Sequence, residues 1–555
     1  MIFTKDHKQR SLFNEWDKLG PKRRKLLKES WAGLFREHIF MKLPIEELAP
    51  FFCKDFGRPT KDLYTVIGVL IFQQMQDITD DETVMRLAFD IQWHYALDIA
   101  EESDVLKYIS PKTLWNMRRI VTENKLEDII FKQPTERLSE VFNVIMRKQR
   151  IDSVHIKSNM RNLSRIGILS KGISRFLVNV KRHYKEEFDR VEEEIRKRYL
   201  SKEGLQSFGM VKPSEARKRL KSTAEDLFDL VEHFKGDEDI EKMSSYKLLC
   251  RILKEHCNIE EVGAGKRIEL KEAKEISSSS VQNPSDPDAG YSGHKGKGYS
   301  VQIMETYSRT EGKEEKEKRL NLITYVEVES ADKSDAKALM SAIEKAEENN
   351  FKPEEVLADS LYGSDENCEK AKERNVEIIS PVMGKNKKEG YHISEFLFTE
   401  EGKILECPEG ENPVFNKRNK DRYSSGFGSR ICGCCCMVDK CCVKKGKNYY
   451  YVRYTEKDIR IRKRREKEAS IEFKDKYRFR AGVEATMSEL DRKTGIKHFK
   501  GARVKSGEVL CVFKSSCYKH IQSDCREKSR KPPKSRGKRS IFCFFCIYFE
   551  FKKAF

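Results

Sequence analysis

The first 135 residues carry hydrophobic side chains at helical spacing. Residues 61–75 (KDLYTVIGVLIFQQM) are apolar at three-four spacing and follow a Gly-Arg-Pro breaker. Thr79 with Glu82 gives a capping-box pattern for the next helix, and Ser110 followed by proline opens another. We therefore predict a helical N-terminal domain over residues 1–135. Its short helices, the last one basic, suit a helix-turn-helix DNA-binding unit and equally a plain helical bundle.

An alternating, β-branched segment follows at residues 150–156 (RIDSVHI), which predicts a strand. The charged region from about 160 to 280 then returns to a three-four apolar spacing, which predicts amphipathic helices. The positions that carry this spacing are Leu220, Ala224, Leu227, Val231 and Phe234. We expect these helices to interrupt one domain rather than to form their own.

Strand patterns resume after this helical insertion. They predict a hairpin, then a helix, a strand, a helix and a strand, at residues 298–308, 320–330, 334–349, 354–360, 365–375 and 376–382. Together with the first strand, this order predicts a mixed α/β sheet with helices on both faces. Residues 385–455 look irregular and rich in cysteine and tyrosine, like a second insertion. One basic helix is predicted over 454–493, and an atypical basic and aromatic tail over 510–555.

Charge narrows the class of partner. The 555 residues include 109 Lys and Arg against 90 Asp and Glu, a formal charge of +19. An excess of this size favours a polyanionic partner, because each neutralised phosphate releases counterions. The sequence has no signal-peptide pattern and no apolar stretch of about 18 residues, so we expect a cytosolic protein with no membrane segment. Its 16 cysteines are then expected to be thiols or metal ligands.

Two acids lie in or at the end of predicted strands. Asp152 is inside the first strand, and Asp359 follows Val-Leu-Ala at the end of a later one. Such an acid costs free energy unless it is paired, and a single one is more often a helix cap or a salt-bridge partner. Two in one α/β domain suggest a shared cation. Carboxylates suit Mg²⁺ or Mn²⁺, and a pair of such ions can assist phosphoryl transfer. Glu484, on the late basic helix, is the expected third ligand.

The second insertion holds a CxxC-x₅-C pattern with a further cysteine upstream. Four thiolates could hold a structural Zn²⁺ tetrahedrally. The expected ligands are Cys407, Cys432, Cys435 and Cys441. Further cysteines crowd the same segment, so a metal-free cysteine-rich loop is an equal alternative.

At these residues the chain resembles the DDE transposases of bacterial insertion sequences, from about residue 40 to 500. The resemblance rests on IDSVHIKSNM, YSGHKGKGYSVQIMETYS and VLADSLYGSDENCEKAKERNVEIISPV. It also rests on the Tyr-x₂-Arg-x₃-Glu spacing of Tyr477, Arg480 and Glu484, which would put all three on one helical face. The segment GRPTKDLYTVIGVLIFQQM resembles the InsH-like N-terminal domain of such enzymes.

The resemblance implies an RNase H-like catalytic domain over 146–500, interrupted by the two insertions. It implies that Asp152, Asp359 and Glu484 hold two Mg²⁺ or Mn²⁺ ions. Arg480 would contact the DNA backbone, and Tyr477 would support that contact.

Further DNA contacts are expected from basic residues outside the triad. Lys295 and Lys297 lie in a glycine-rich turn, where backbone and ammonium groups could meet phosphates. Asp491 stands where the family often carries lysine, so its neighbours are candidates for that role. The remaining candidates for backbone contact are Arg492, Lys493, Lys497 and Lys500.

These expectations describe a transposase that binds double-stranded DNA at its element's ends, cuts it and joins it to target DNA. The family implies a homo-oligomer on DNA and a nucleoid-associated place in the bacterial cytoplasm. Three alternatives stay open: a zinc-stabilised DNA-binding regulator without catalysis, a nuclease that cuts without joining, and a decayed copy.

Overall fold

The computed structural model describes residues 2–9, 14–54, 56–57, 59–76, 78–158, 160–208, 212–262, 265–310, 320–384, 390–494, 512–514 and 544–546. Within these ranges no helix is long and apolar enough to cross a membrane.

The N-terminal region is helical, as predicted. Its helices are α1 Pro21–Lys28, α2 Trp31–Leu34, α3 Ile45–Leu48, α4 Leu63–Met75, α5 Asp80–Phe89, α6 Ile91–Ala96, α7 Asp104–Lys107, α8 Pro111–Glu123 and α9 Glu127–Val141. The Thr79–Glu82 capping box opens α5, and the Ser110 side chain caps α8. Helix α4 is buried almost all round and is the centre of one hydrophobic core.

A buried histidine ties the N-terminal segment to this bundle. The His7 ring bonds to Asp62 Oδ2 through Nε2 at 3.1 Å and to Asp98 Oδ2 through Nδ1 at 3.0 Å. Burial lowers the pKa of His7, but the two carboxylates outweigh it, so the pKa lies above its ordinary value. Burial raises the pKa values of Asp62 and Asp98, and His7 with its neighbours reverses that, so both lie below their ordinary values. The three groups form a cluster in which each charged form is stabilised by its neighbours.

This cluster predicts pH-dependent stability. A raised histidine pKa stabilises the fold fully below the unfolded pKa, and that contribution is lost as pH rises through the folded pKa. We expect the unfolding temperature of the wild type to fall as pH rises through the folded pKa of His7. In His7→Gln the unfolding temperature should depend less on pH, and the free energy of unfolding at pH 6 should be about 1.5–3 kcal/mol lower. Thermal unfolding across pH 5–9 measures both, with the exposed His183→Gln as control. An unchanged pH profile in His7→Gln would contradict the assignment.

Strand β1, Lys148–Lys157, is followed by the predicted helical insertion. Its elements are α10 Arg165–His183, α11 Lys185–Arg190, α12 Glu193–Leu200, α13 Lys202–Ser207, α14 Pro213–His233, α15 Glu238–Lys242, α16 Ser244–His256 and the hairpin β2 Cys257–Val262 with β3 Gly265–Leu270. The apolar spacing on α14 is confirmed, because Ala224, Leu227 and Val231 are buried in a core shared with α10 and α16.

The central sheet has the predicted order of elements. After the insertion come β4 Gly290–Ser292, β5 Gly296–Thr306, β6 Ile323–Ser330, α17 Ala338–Glu348, β7 Glu355–Leu357, α18 Asp365–Glu373 and β8 Glu377–Ile379. The strands lie side by side as β6-β5-β1-β7-β8, and β4 pairs with the start of β5. The pairs β6-β5 and β5-β1 are antiparallel, whereas β1-β7 and β7-β8 are parallel. The fold is therefore a mixed α/β sheet.

The second insertion is more regular than predicted. Its elements are β9 Leu397–Phe398, β10 Ile404–Glu406, β11 Phe415–Asn419, β12 Arg422–Gly428, α19 Ser429–Cys434, β13 Lys444–Lys445 and β14 Tyr449–Thr455. Strands β11-β12-β14-β13 form an antiparallel sheet. The expectation of an irregular segment is wrong because the alternation in RYSSGFG and YYYVRYT buries one face of that sheet.

The single basic helix predicted over 454–493 is also wrong. The chain forms α20 Glu456–Ala469, α21 Ile471–Tyr477, a 3₁₀ turn Arg478–Ala481 and α22 Gly482–Thr494. Ser470 is extended and its Oγ accepts from the Phe473 N–H, so a new helix starts there. Of the predicted tail, β15 Val512–Lys514 and β16 Phe544–Cys546 pair antiparallel, and the rest lies outside the described residues.

Two helical layers cover the central sheet. On one face, Val483 and Met487 of α22 pack on Val154 and Ile156 of β1. On the other face, α17 and α18 pack on side chains of opposite orientation, such as Ile151. Asp152 lies two positions before Val154 on β1, so its side chain points to the same face of the sheet, the one that α22 covers.

Candidate active site

The sheet brings two of the predicted acids together. Strands β1 and β7 pair in parallel with Arg150 opposite Leu357. Continuing that register by two residues places Asp359, at the carboxyl end of β7, beside Asp152. Asp359 Oδ1 accepts the Leu361 N–H at 2.8 Å, which fixes the turn after the strand.

Arg480 links this acid pair to the third carboxylate. Its Nη1 lies 3.0 Å from Asp152 Oδ2, and its Nη2 lies 3.0 Å from Glu484 Oε1. Arg480 stands in the 3₁₀ turn and Glu484 in the first turn of α22, and their side chains contact each other at the i, i+4 spacing of one helical face. Arg480 thus links Glu484 to Asp152 on β1.

The electrostatics of this cluster favour a cation. Burial raises the pKa of Asp152, and the charge of Asp359 adds to that rise, while the Ser153 N–H and Arg480 oppose it. Burial also raises the pKa of Tyr477, whose hydroxyl senses the same two carboxylates and Arg480. A buried carboxylate beside another negative charge is stabilised by positive charge next to it. Arg480 supplies that charge in this structure.

Arg480 lies between two of the three carboxylates. In the described part of the chain, no group of three or more His, Cys, Asp and Glu side chains is placed so that it could hold a metal ion. The guanidinium fills the space between Asp152 and Glu484. The donor chemistry of the three acids fits Mg²⁺ or Mn²⁺, which prefer hard oxygen ligands.

A polar network that sequence reasoning missed lies under Asp152. The Ser153 hydroxyl donates to Asp335 Oδ2 at 2.9 Å, and the Gln302 amide donates to Asp335 Oδ1 at 2.7 Å. The Tyr362 hydroxyl in turn donates to Gln302 Oε1 at 2.5 Å. Gln302 and Tyr362 are fully buried, so the network fixes the strand segment that carries Asp152. A glutamine amid the apolar run of β5 was the available signal.

A second missed network anchors α22. Arg150 Nε donates to Glu305 Oε1 at 2.7 Å, and its Nη1 donates to the Phe479 carbonyl at 2.7 Å. The Thr486 hydroxyl donates to Glu305 from the other side at 2.8 Å. Gly482 is required here, because an added Cβ would lie 2.0 Å from Arg150 Nη1. These contacts tie the turn of Arg480 and the helix of Glu484 to β1 and β5.

The predicted DNA-binding lysines of the glycine-rich turn differ in their surroundings. Lys295 is half-exposed, and its Nζ lies 3.9 Å from Asp335 Oδ2 and 3.5 Å from Ser153 Oγ. Lys297 instead donates to the Met160 carbonyl, and burial lowers its pKa. The side chain of Lys295 is therefore the more exposed of the two.

The other basic candidates lie on or beyond α22. Arg492 is exposed, and its Nε donates to the Ser488 carbonyl at 3.4 Å. Lys493 lies in α22. Lys497 and Lys500 lie outside the described residues.

The structure does not support the predicted zinc site. Cys407, Cys432 and Cys441 are half-buried against the small core of the second insertion. Burial raises the pKa of Cys432 to about 11, and the thiols of Cys407, Cys441 and Cys435 add to the rise. These sulfurs are neighbours, but they belong to no described metal-holding group of side chains. Tetrahedral zinc needs four sulfurs at about 2.3 Å from one point.

Comparison with known proteins identifies two domains. Residues 278–513 match the family described as Transposase DDE domain, and residues 25–119 match the family described as Transposase domain (DUF772). No curated protein and no solved structure matches the chain. The resemblance to the DDE transposases of insertion sequences is confirmed by the two family matches. Asp359 and Glu484 lie inside the first match, while Asp152 lies before it, across the helical insertion.

Proposed function

We propose that this chain, which carries two transposase domains, is a Mg²⁺-dependent DDE transposase that cuts DNA at the ends of its insertion sequence and joins them to target DNA. The observation that carries the proposal is that Asp152 on β1 lies near Asp359, two residues past the parallel strand β7, and that Arg480 links Asp152 to Glu484. The strand order β6-β5-β1-β7-β8, with its antiparallel and parallel halves, supports an RNase H-like catalytic domain over 146–500.

The residues of the site have distinct expected roles. Asp152, Asp359 and Glu484 would hold Mg²⁺ or Mn²⁺, which supplies charge stabilisation for the attacking and leaving oxygens. Arg480 would exchange its carboxylate partners for a phosphate oxygen of bound DNA, since a guanidinium pairs with either anion. Tyr477 packs flat on Phe473 at 5.5 Å between ring centroids and supports the start of the turn that carries Arg480. Lys295 would bind a second phosphate.

Further basic residues extend the expected DNA path. Arg492 and Lys493 follow the catalytic helix turn, and Lys497 and Lys500 continue the basic sequence. The helical domain of residues 1–135 would bind the element's end, and a homo-oligomer would bridge two ends. Support for these roles comes from the basic composition and from the two transposase domains.

Arg480 and the metal should compete for the same oxygens. We expect Arg480→Gln to bind Mg²⁺ about tenfold more tightly than the wild type, because no ion pair must be displaced. Its DNA cleavage should nevertheless fall, because a phosphate contact is lost. The Mg²⁺-dependent rise in unfolding temperature measures the first effect. Arg478→Gln is the control, because it removes an exposed cation of the same turn whose contacts include Asp475 and the Phe479 ring. Weaker Mg²⁺ binding by Arg480→Gln would contradict the competition.

Cleavage of a labelled duplex carrying the element's end tests the proposal. We expect Mg²⁺-dependent nicks at the element boundary that leave 3′-hydroxyl ends. Adding a target plasmid should convert those ends to joined products. Cleavage without joining would favour a nuclease, and binding without cleavage would favour a DNA-binding regulator or a decayed copy.

A further inference from the structure

The antiparallel sheet β11-β12-β14-β13 of the second insertion has two different faces. One face is buried against the small core, through Tyr423, Phe427, Val452 and Tyr454. The opposite face, which we call the outer face, carries the alternate residues of the same strands. Its side chains are Phe415, Lys417, Arg422, Ser424, Lys444, Tyr449, Tyr451 and Arg453.

The outer face is positively charged. The four strands contain six Lys and Arg and no Asp or Glu. Lys417, Arg422, Lys444 and Arg453 are exposed, and among the described residues no carboxylate forms an ion pair with them. Lys417 and Arg453 lie in one row across three strands, on either side of Ser424. Such a row of unpaired cations favours a polyanion.

Aromatic rings lie directly beside these cations. Phe415 meets Tyr449 edge to face at 5.3 Å and Tyr451 at 6.1 Å between ring centroids. Lys417 Nζ lies 5.1 Å from the Phe415 ring centroid. The rings are half-exposed, although three aromatic side chains at one place usually belong to a core. Gly426 lets the Phe415 ring lie on the sheet, since an added Cβ would meet that ring at 2.5 Å.

We propose that the outer face binds a DNA strand with unpaired bases, through phosphate contacts to Lys417 and Arg453 and base stacking on Phe415, Tyr449 and Tyr451. Cations alone would suit any polyanion. Aromatic rings next to them favour a strand whose bases are free to stack, because paired bases hide their faces within the duplex. The surface goes beyond the proposed active site and contains none of its residues, so binding tests it without any cleavage step.

Charge and stacking predict separable effects. Lys417→Gln with Arg453→Gln should weaken binding of the full chain to a fluorescent 20-nucleotide single strand and lower the slope of log K against log salt by about 1.4. Tyr451→Leu should weaken the same binding by about tenfold with an unchanged salt slope. Lys445→Gln is the matched control, because Lys445 is an exposed cation of the same sheet on its other face. Fluorescence anisotropy over a salt series measures all of these.

A matched pair guards against misfolding of the packing variant. Lys417→Glu and Lys445→Glu make the same charge change at exposed positions, so only the first should weaken single-strand binding. Equal effects of the two would overturn the proposal. The proposal would also be overturned if the charge variants lost affinity for duplex DNA alone and Tyr451→Leu bound the single strand as tightly as the wild type. Absence of transposition in every protein would bear on the proposed function alone.

Discussion

Asp359→Asn is expected to lower DNA cleavage by about a thousandfold or more, because it removes one negative charge from the oxygens that would hold Mg²⁺. The fold should survive. The amide oxygen of asparagine can still accept the Leu361 N–H that fixes the turn after β7. Loss of the charge also relieves Asp152, whose pKa burial and Asp359 together raise. Cleavage of the element's end in Mg²⁺, with DNA binding measured alongside, tests this.

Asp475→Asn is the matched control for this charge change. Asp475 is exposed on α21, and its ion-pair partner in the described part of the chain is the nearby Arg478. We expect this variant to cleave as the wild type does. If Asp359→Asn also cleaved normally, Asp359 would have no place in the active site.

Arg150→Met is expected to destabilise the protein by about 3–5 kcal/mol, the cost of leaving a buried charge without its partner. The Glu305 side chain is 0% exposed and that of Arg150 only 7%. The variant also loses the bond to the Phe479 carbonyl, which holds the turn of Arg480. Cleavage should therefore fall together with the free energy of unfolding. Urea unfolding measures the stability change.

Arg147→Met is the control that distinguishes the loss of the buried Arg150–Glu305 pair from the loss of an exposed ion pair near β1. Arg147 and Glu354 pair at 3.4 Å with side chains 73% and 63% exposed, so the expected cost is below about 1 kcal/mol. The double variant Arg150→Met, Glu305→Leu should recover part of the stability, because it removes both buried charges. Equal costs for Arg150→Met and Arg147→Met would contradict the anchoring role of Arg150.

Local patterns predicted most elements of the fold. Period-two alternation marked β1, and capping signals at Thr79 and Ser110 marked helix starts that the structure confirms. The prediction of one continuous late helix was wrong because Ser470, within a strongly basic segment, was not recognised as the start of a new helix. The sheet of the second insertion was not predicted, because the many cysteines and tyrosines of the segment obscured the short alternation of buried and exposed positions in its strands. In both cases a local sequence signal was present, but the composition of the segment suggested a different structure.

The candidate site was less predictable than the fold. Asp152 and Asp359 could be proposed because each is an acid in an apolar strand. Their supporting networks could not, since Asp335 meets Ser153 across 182 positions and Arg150 meets Glu305 across 155. The second pairing depends on the register of β1 against β5 and the first on the position of the 3₁₀ turn before α17, and no local pattern encodes either. The bridging position of Arg480 likewise requires the 3₁₀ turn that the sequence did not reveal.

Strand transfer tests the central claim most directly. A pre-cleaved, labelled duplex carrying the element's end and a 3′-hydroxyl is incubated with a target plasmid and Mg²⁺. The account predicts that the wild type joins the labelled strand to the plasmid and that Asp359→Asn binds the same duplex but forms no joined product. Joined product from Asp359→Asn at the wild-type rate would contradict a carboxylate-metal transposase in this chain.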